Sequence, residues 1–280
     1  MPRVIIGVPV YNGASLLRES LACLQGQSYK DFAVLVCDNA STDGSLEIAQ
    51  EFAATDPRFR VIASAATIPA WDNFDRCLTL ADAEYFAWRA HDDLSAPNFI
   101  EILAGLLDAD PSAGLAACQV RTLKMNSGKT RTLDTPVLSA SPLRARLQLL
   151  RHVHASWFYG LYRREAIAPL YRLGHKVYQH AWAGDHAILY ALLAGRRVAL
   201  SNQTWFLQRT GASNSRGRSN ETDPALERRI FLDYLGFCRD RLDEIDLGQL
   251  QRLVLKAHLP LDAHRRAYRI GHLLRRALTG

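Results

Sequence analysis

The first 120 residues alternate short β-branched runs with segments whose apolar residues recur at the spacing of one helix face. Apolar runs at 4–10, 32–37, 59–63 and 85–88 predict four strands, and intervening segments such as 15–25 predict helices. Strands that alternate with helices are typical of a parallel sheet covered on both faces. We therefore predict an α/β fold with a mostly parallel, Rossmann-like central sheet and helices on both faces.

The rest of the chain has a more mixed pattern that ends in a helical tail. The elements predicted there are, in chain order, a helix over 99–107, a strand over 115–120, a hairpin turn at 126–128, a strand over 157–162, a helix over 185–194, strands near Val198 and Trp205, and helices after Pro224. This pattern predicts one α/β domain over 1–222 and a helical C-terminal extension over 223–280.

Composition is that of an ordinary soluble globular protein. Apolar residues make up 48% and charged residues 22% of the 280 residues, enough for one large core. The five cysteines are odd in number and far apart, which predicts reduced thiols of a cytosolic protein rather than disulfides. The first residues lack the apolar core of a signal peptide, and no run reaches the roughly 18 apolar residues of a membrane span.

The formal net charge is +6, which favours encounter with an anionic partner. A nucleotide, an acidic membrane and a nucleic acid all satisfy that condition. No basic and aromatic module of a nucleic-acid binder is visible, so we expect no nucleic-acid partner.

Small polar and acidic residues collect where the predicted strands end. The first strand runs into Tyr11-Asn12-Gly13, the second into Asp38 and a loop rich in Asn, Ser and Thr, and the fourth into His91-Asp92-Asp93. In an open parallel sheet, ligands bind beyond the carboxyl ends of the strands. Turns and helix caps favour the same residue types, so each loop taken singly is also compatible with a structural role.

The adjacent acids Asp92 and Asp93 are candidate metal ligands at this edge of the sheet. Two carboxylates side by side after an apolar strand repel each other unless a cation or hydrogen-bond donors compensate. Mg²⁺ and Mn²⁺ prefer such hard oxygen ligands and complete their shell with water and phosphates. The alternative is that Asp92 faces solvent while Asp93 caps the next helix.

Five segments resemble, in order, motifs of the inverting GT-A enzymes of glycosyltransferase family 2. They are 8–12 (Val-Pro-Val-Tyr-Asn), 37–45 after the second strand, 90–93 (Ala-His-Asp-Asp), 184–195 opening with Gly-Asp, and 209–215. The resemblance implies a GT-A fold, a nucleoside-diphosphate-sugar donor, most simply UDP- or dTDP-linked, and a Mg²⁺ or Mn²⁺ cofactor. It makes 1–222 the catalytic domain, with 1–120 as the nucleotide-sugar half and 121–222 as the acceptor half.

The resemblance also implies roles for individual residues. Asp38 accepts a hydrogen bond from the nucleobase, and Asp185 is the general base. Asp92 and Asp93 hold the ribose edge and the metal, with either acid as the direct ligand. The remaining donor-binding residues are Pro9, Tyr11, Asn12, Asn73 and Arg209.

Two positions depart from the family pattern. Ala90 stands where the metal motif usually has its first acid, so the metal role rests on Asp92 and Asp93. A histidine common in the late arginine-containing loop is replaced by Gly211 or a neighbour. These departures bear on metal affinity and diphosphate contacts more than on the fold.

Inverting transfer needs a base for the acceptor hydroxyl and charge compensation for the leaving diphosphate. Asp185 follows Gly184 and opens a helix, which suits the base, although an acid at a helix start also serves as an N-cap. The neighbouring His180 and His186 match no usual zinc spacing. Four aromatic residues could form a sugar-stacking wall or belong to the core: Trp157, Tyr159, Tyr162 and Trp182.

The last segment, 270–278, has an apolar stripe crowded by arginines. Such a helix can lie on the anionic inner face of a membrane, or its stripe can pack on the protein itself. We expect a cytoplasmic transferase, peripheral at most, whose acceptor is a saccharide or lipid-linked saccharide in cell-surface polysaccharide or glycolipid synthesis.

Three rival functions can be compared with the residues. A nucleotidyltransferase would have a Gly-rich basic loop after its first strand, and the loop after the first predicted strand here is neither Gly-rich nor basic. A dinucleotide enzyme would have G-x-G-x-x-G at that place. A non-catalytic member of the same fold that binds nucleotide or polysaccharide is favoured only by Ala90.

Overall fold

The computed structural model describes residues 1–180, 182–195, 197–211 and 224–267. Its elements are, in chain order, β1 Val4–Val10, α1 Ala14–Gln25, β2 Phe32–Asp38, α2 Ser45–Thr55, β3 Phe59–Ala63, α3 Ala70–Leu80, β4 Tyr85–Trp88, β5 Leu94–Ser95, α4 Phe99–Ala109, β6 Ala113–Lys124, β7 Lys129–Leu133, α5 Pro142–His152, a 3₁₀ helix Ala155–Tyr159, β8 Leu161–Arg163, α6 Arg164–Val177, α7 Gly184–Gly195, β9 Arg197–Thr210, α8 Pro224–Glu244 and α9 Gln249–Arg266. The alternation of strands and helices over the first 120 residues confirms the predicted α/β pattern.

The strands form one sheet in the order β3-β2-β1-β4-β8-β6-β9-β5, with β7 paired to β6. The first four strands of the chain are parallel, with Val10 of β1 opposite Asp38 of β2. The later strands add antiparallel pairs, including β8 on β4 and the β6–β7 hairpin. The carboxyl ends of β1, β2 and β4 therefore lie side by side, as a binding edge requires.

Both faces of β1 are buried, which explains its unbroken apolar sequence. Val4, Ile6 and Val8 join a core with residues of α1, α2 and α4. On the opposite face, Gly7 lies against α3, where an added Cβ would come within 2.7 Å of the Cys77 Cβ. The close approach of α3 to the strand therefore requires glycine at this position.

Two predictions for the second half differ in part from the structure. The segment 157–162 is a 3₁₀ helix followed by β8 rather than one strand, because the Gly160 N–H closes a turn on the Trp157 carbonyl at 3.0 Å. The predicted strands near Val198 and Trp205 are one strand, β9. The chain stays extended between the two positions, and Asn202 there accepts the Thr135 N–H at 2.9 Å.

The chain divides into two compact units. The first consists of Met1–Thr135, Ser156–Pro169 and Val198–Ser215, and the second of Pro136–Ala155, Leu170–Arg197 and Arg216–Gly280. In the second unit, α7 packs against α5 and α8, and α9 packs against α8 and α5. Within the described ranges no helix is both long enough and apolar enough to cross a bilayer.

The predicted boundary between 222 and 223 lies outside the described residues, so that division stays a prediction. The basic segment 270–278 also lies outside them, as do residues 212–215 of the late loop.

Candidate functional site

The loops after β1 and β2 are joined by side-chain hydrogen bonds. Asn12, in the left-handed region at φ 49°, accepts the Thr42 N–H at 2.8 Å through its Oδ1. Its own N–H donates to Ser41 Oγ at 3.0 Å, and the Gly13 N–H donates to Ser45 Oγ at 2.8 Å. These hydrogen bonds hold the two loops together at the carboxyl ends of β1 and β2.

Pro9 and Tyr11 lie on the same edge. Pro9 is in β1, in register with Cys37 of β2, and Tyr11 follows the strand with half of its surface exposed. An exposed aromatic ring beside a buried strand end offers a face on which a flat ligand can stack.

Asp38 and Asn73 present buried oxygens without hydrogen-bond partners among the described residues. Asp38 is 1% exposed, and its Oδ2 accepts the Ser41 N–H at 3.1 Å while its Oδ1 has no partner. The Asn73 amide donates to the Cys37 carbonyl at 2.9 Å, and its Oδ1 is likewise unpaired. Buried unpaired acceptors cost stability, a cost that N–H or O–H donors of a ligand would remove.

Arg76 of α3 fixes the backbone at the ends of β2 and β3. Its guanidinium donates to the Asp38 carbonyl at 3.1 Å and also to the Ile62 carbonyl and Ser64 Oγ. One side chain therefore ties the ends of β2 and β3 together beneath Asp38.

The acid pair follows β4. Asp92 is half-buried, whereas Asp93 is 3% exposed and accepts the Arg209 N–H at 2.8 Å. Burial is the largest cause that raises the pKa of Asp93 to about 7, and the negative charge of neighbouring Asp92 is the second. A buried carboxylate whose charge is so poorly compensated is a strong candidate for a cation ligand.

Arg209 of β9 clamps this loop. Its Nε donates to the Asp92 carbonyl and its Nη1 to the Glu19 carboxylate of α1. The Arg209 side chain is 3% exposed and the Glu19 side chain 60%. Glu19 was not predicted as a site residue, because nothing in the helix pattern distinguishes it from a charge on a solvated helix face.

A second arginine, Arg89, lies fully buried directly after β4. Its guanidinium sits 5.2 Å from the Phe99 ring centre and 5.0 Å from that of Phe206, and donates to Ser95 Oγ at 2.8 Å. Its positive charge lowers the pKa of Asp93 and so partly offsets the effect of burial. Its position directly after an apolar strand is a sequence signal for a buried charge, although Arg89 was not predicted as a site residue.

His91, between Ala90 and the acid pair, packs on the β1 loop. A Cβ added to Gly13 would lie 2.3 Å from the His91 ring Cδ2, so any side chain there would displace the ring. The Ser20 hydroxyl donates to the Ala90 carbonyl at 3.3 Å, which links the same loop to α1.

The donor set at the acid pair fits Mg²⁺ or Mn²⁺. Asp92 and Asp93 supply hard carboxylate oxygens, and these ions need only one or two carboxylates when phosphates complete the shell. Within the described residues no group of three His, Cys, Asp or Glu side chains is placed to hold a metal. The chemistry therefore suits a shared site that phosphate oxygens complete.

Asp185 belongs to the second unit, in the first turn of α7. It is partly buried, and its Oδ1 accepts the His186 N–H at 2.8 Å. The turn before it is unusual, because Ala183 has a φ of 61°. His180 does not join Asp185 but pairs with Asp233 at 2.6 Å.

The aromatic residues considered for a sugar-stacking wall are largely in protein cores. Trp157 is 3% exposed and donates to the Cys118 carbonyl at 3.2 Å, and the buried Tyr162 hydroxyl donates to the Phe158 carbonyl. Tyr159 stacks on Phe206 with ring centres 5.4 Å apart. These three residues are therefore packing residues of the first unit.

Residues 5–170 match the family model described as Glycosyl transferase family 2, which covers more than half of the chain. The chain belongs to glycosyltransferase family 2. The family assignment agrees with the site, because the match contains both the Asp38 loop and the acid pair.

Relatives in the family match over part of their length. EpsE of Bacillus subtilis, provisionally described as a glycosyltransferase, is 34% identical over 108 residues, 38% of this chain and 39% of EpsE. YibD, an uncharacterised glycosyltransferase of Escherichia coli, is 28% identical over 168 residues, 57% of this chain and 48% of YibD. The matched stretches thus span less than half of these relatives.

Solved structures give the fold of this family member. S. aureus TarS has a TM-score of 0.72 at 14% identity, covering 96% of this chain and 44% of TarS. TarS 1–349 in complex with UDP-GlcNAc gives 0.71 at 16% identity, covering 95% of this chain and 74% of that one. The mannosyltransferase PcManGT of Pyrobaculum calidifontis, in complex with GDP-Man and Mn²⁺, gives 0.58 at 20% identity, covering 100% and 76%. The predicted GT-A fold with C-terminal helices is confirmed.

Proposed function

We propose that the chain is an inverting glycosyltransferase that moves a sugar from a nucleoside-diphosphate donor to an acceptor hydroxyl. The observation that carries the proposal is the binding edge, where the unpaired buried oxygen of Asp38 lies at the end of β2 and the acid pair follows β4. Family membership supports the reaction type, and the complexes of fold relatives with UDP-GlcNAc and GDP-Man support a sugar nucleotide as donor.

Donor recognition is assigned to the first unit. Asp38 accepts an N–H of the base, with Tyr11 and Pro9 beside it and Asn73 supplying a second acceptor. A base with an N–H flanked by carbonyls, as in UDP or dTDP, suits a carboxylate acceptor. Asn12 and Arg209 complete the donor contacts.

Compensation of the negative charge on the leaving diphosphate is assigned to Asp92 and Asp93. Asp92 and Asp93 would hold Mg²⁺ or Mn²⁺, which supplies Lewis-acid compensation of the charge that grows on the diphosphate. Arg209 keeps the loop in place through its contacts with Asp92 and Asp93. The manganese in the PcManGT complex supports a divalent ion in this fold.

Deprotonation of the acceptor is assigned to Asp185. Its carboxylate takes the hydroxyl proton as the hydroxyl oxygen bonds to the anomeric carbon and the diphosphate leaves from the opposite face. Attack on the face opposite the leaving diphosphate inverts the anomeric centre. The acceptor is a saccharide or lipid-linked saccharide of cell-surface polysaccharide or glycolipid synthesis, and the site of action is the cytoplasm or the inner membrane face.

Calorimetric titration with UDP, dTDP and GDP sugars, with and without Mn²⁺, tests this proposal. We expect one nucleotide class to bind, more tightly with Mn²⁺, and slow donor hydrolysis to accompany binding. No binding of any sugar nucleotide would contradict the proposal. Binding without any hydrolysis or transfer would favour the non-catalytic alternative, which Ala90 in the metal motif supports.

A further inference from the structure

Helix α9 has an outward face that is apolar. Leu250, Leu253 and Leu261 are 69%, 66% and 45% exposed, and Ala257 between them is also exposed. Their spacing of three and four residues places them on one side of the helix. We call these four residues the outer leucine stripe.

The opposite face of α9 already supplies the packing that the helix needs. Leu255, Leu259 and Ala263 are buried, and the buried Asp262 accepts the Tyr234 hydroxyl of α8 at 2.6 Å. A surface helix needs only one apolar face to pack on its own unit. Packing among the described residues of the second unit therefore does not explain the outer leucine stripe.

Charge is divided unequally between the two units. Counted over its sequence segments, the first unit has 14 basic and 18 acidic residues, a net charge of −4. The second unit has 20 basic and 10 acidic residues, a net charge of +10. The donor-binding residues lie in the first unit, so attraction of an anionic donor does not account for the positive charge of the second.

Positive charge also adjoins the stripe directly. Arg265 is exposed one turn beyond Leu261 on the same helix. From Ala263 to the last residue, the sequence has five arginines and no acid. The stripe therefore ends in a stretch of chain with only one sign of charge.

We propose that the outer leucine stripe of α9 docks on an anionic lipid bilayer. Leucines buried at the level of the headgroups and arginines beside anionic phosphates are the two contacts of an interfacial helix. A soluble polyanion would account for the charge but not for the leucines. A second copy of the chain would account for the leucines but would bring two units of net charge +10 together.

The test is co-sedimentation of the full chain with vesicles of phosphatidylcholine alone or with phosphatidylglycerol. One variant combines Leu250→Gln, Leu253→Gln and Leu261→Gln. The control combines Leu80→Gln and Val137→Gln, which remove apolar side chains that are 46% and 92% exposed elsewhere. We expect wild type and control to bind the anionic vesicles and the triple variant to bind roughly tenfold more weakly or worse.

Wild type should release the anionic vesicles as salt is raised, since the arginines supply part of the affinity. Equal binding by the triple variant, or no binding by wild type, would overturn the proposal. A wild-type dimer that the triple variant converts to monomer, without vesicle binding, would assign the stripe to a second copy and also overturn it. If thermal melts show the triple variant misfolded, Leu253→Gln alone takes its place, with several-fold weaker binding expected and unchanged binding decisive against docking.

Discussion

Replacing Asp93 by asparagine should stabilise the metal-free protein in mildly alkaline solution and abolish metal-assisted nucleotide binding. Asp93 is 3% exposed, and burial raises its pKa from 3.8 to about 7. A raised pKa means that the folded protein holds this proton more tightly than the unfolded chain does. The contribution of Asp93 to stability is therefore greatest below about pH 4, falls as pH rises towards 7, and stays low above that.

The size of the effect follows from the shift. A difference of about three pKa units corresponds to about 4 kcal/mol of lost stability when Asp93 is fully ionised. Asparagine has no charge and keeps an oxygen for the Arg209 N–H, but its amide needs an acceptor, and leaving that unmet costs about 1–3 kcal/mol. We expect Asp93→Asn to gain about 1–3 kcal/mol at a pH of about 8 and to gain nothing at a pH of about 4.

Urea unfolding in chelator, at both pH values, measures this difference, and titration of the nucleotide with and without Mn²⁺ measures the loss of function. Asp92→Asn is the matched control, because Asp92 is half-buried and should gain less stability. A less stable Asp93→Asn protein in chelator at the higher pH would refute the electrostatic argument. Retained Mn²⁺-dependent binding would refute the assignment of Asp93 as a ligand.

Three further substitutions test other parts of the site. Asp185→Asn should lower the transfer rate by about 10²- to 10⁴-fold with nucleotide affinity kept, and near-normal transfer would exclude Asp185 as the base. Glu19→Gln should cost about 1–2 kcal/mol in urea unfolding because its arginine partner is 3% exposed, whereas Glu51→Gln, whose partner is 57% exposed, should cost less than about 0.5; equal costs would contradict this. Gly13→Ala should weaken nucleotide binding in calorimetry, because its Cβ would displace the His91 ring, and wild-type affinity would mean that the two loops move independently.

The first half of the fold follows from sequence because local and tertiary signals agree there. β1, buried on both faces, reads as an unbroken apolar run, and β3 and β4 begin and end at the predicted residues. The elements of the second half are harder to predict from sequence, because its strands are antiparallel, short or polar in part. β8 has only three residues, and β9 has four polar residues in a row, 201–204, between the two strands predicted there.

The same division holds for the site. Asp38, Asp92 and Asp93 follow strands, so the rule that ligands bind at strand ends finds them. Glu19 escaped prediction because its role arises from a contact with a residue distant in sequence, an arginine on β9. Arg89 escaped prediction although its place directly after an apolar strand marked it. The assignments of donor, metal and base residues stay predictions that the experiments above address.

The arginines around the acid pair have a consequence for cooperativity. Ionised Asp92, Asp93 and Glu19 carry three negative charges, and Arg89 and Arg209 carry two positive ones, so the group has a net charge of −1. Under the proposed function, a sugar nucleotide with its doubly charged diphosphate would make the net charge −3. A divalent cation bound with it would return the net charge to −1. Cation and nucleotide should then strengthen each other's binding by the same factor, as thermodynamic linkage demands, and a nucleotide alone should be a poor ligand.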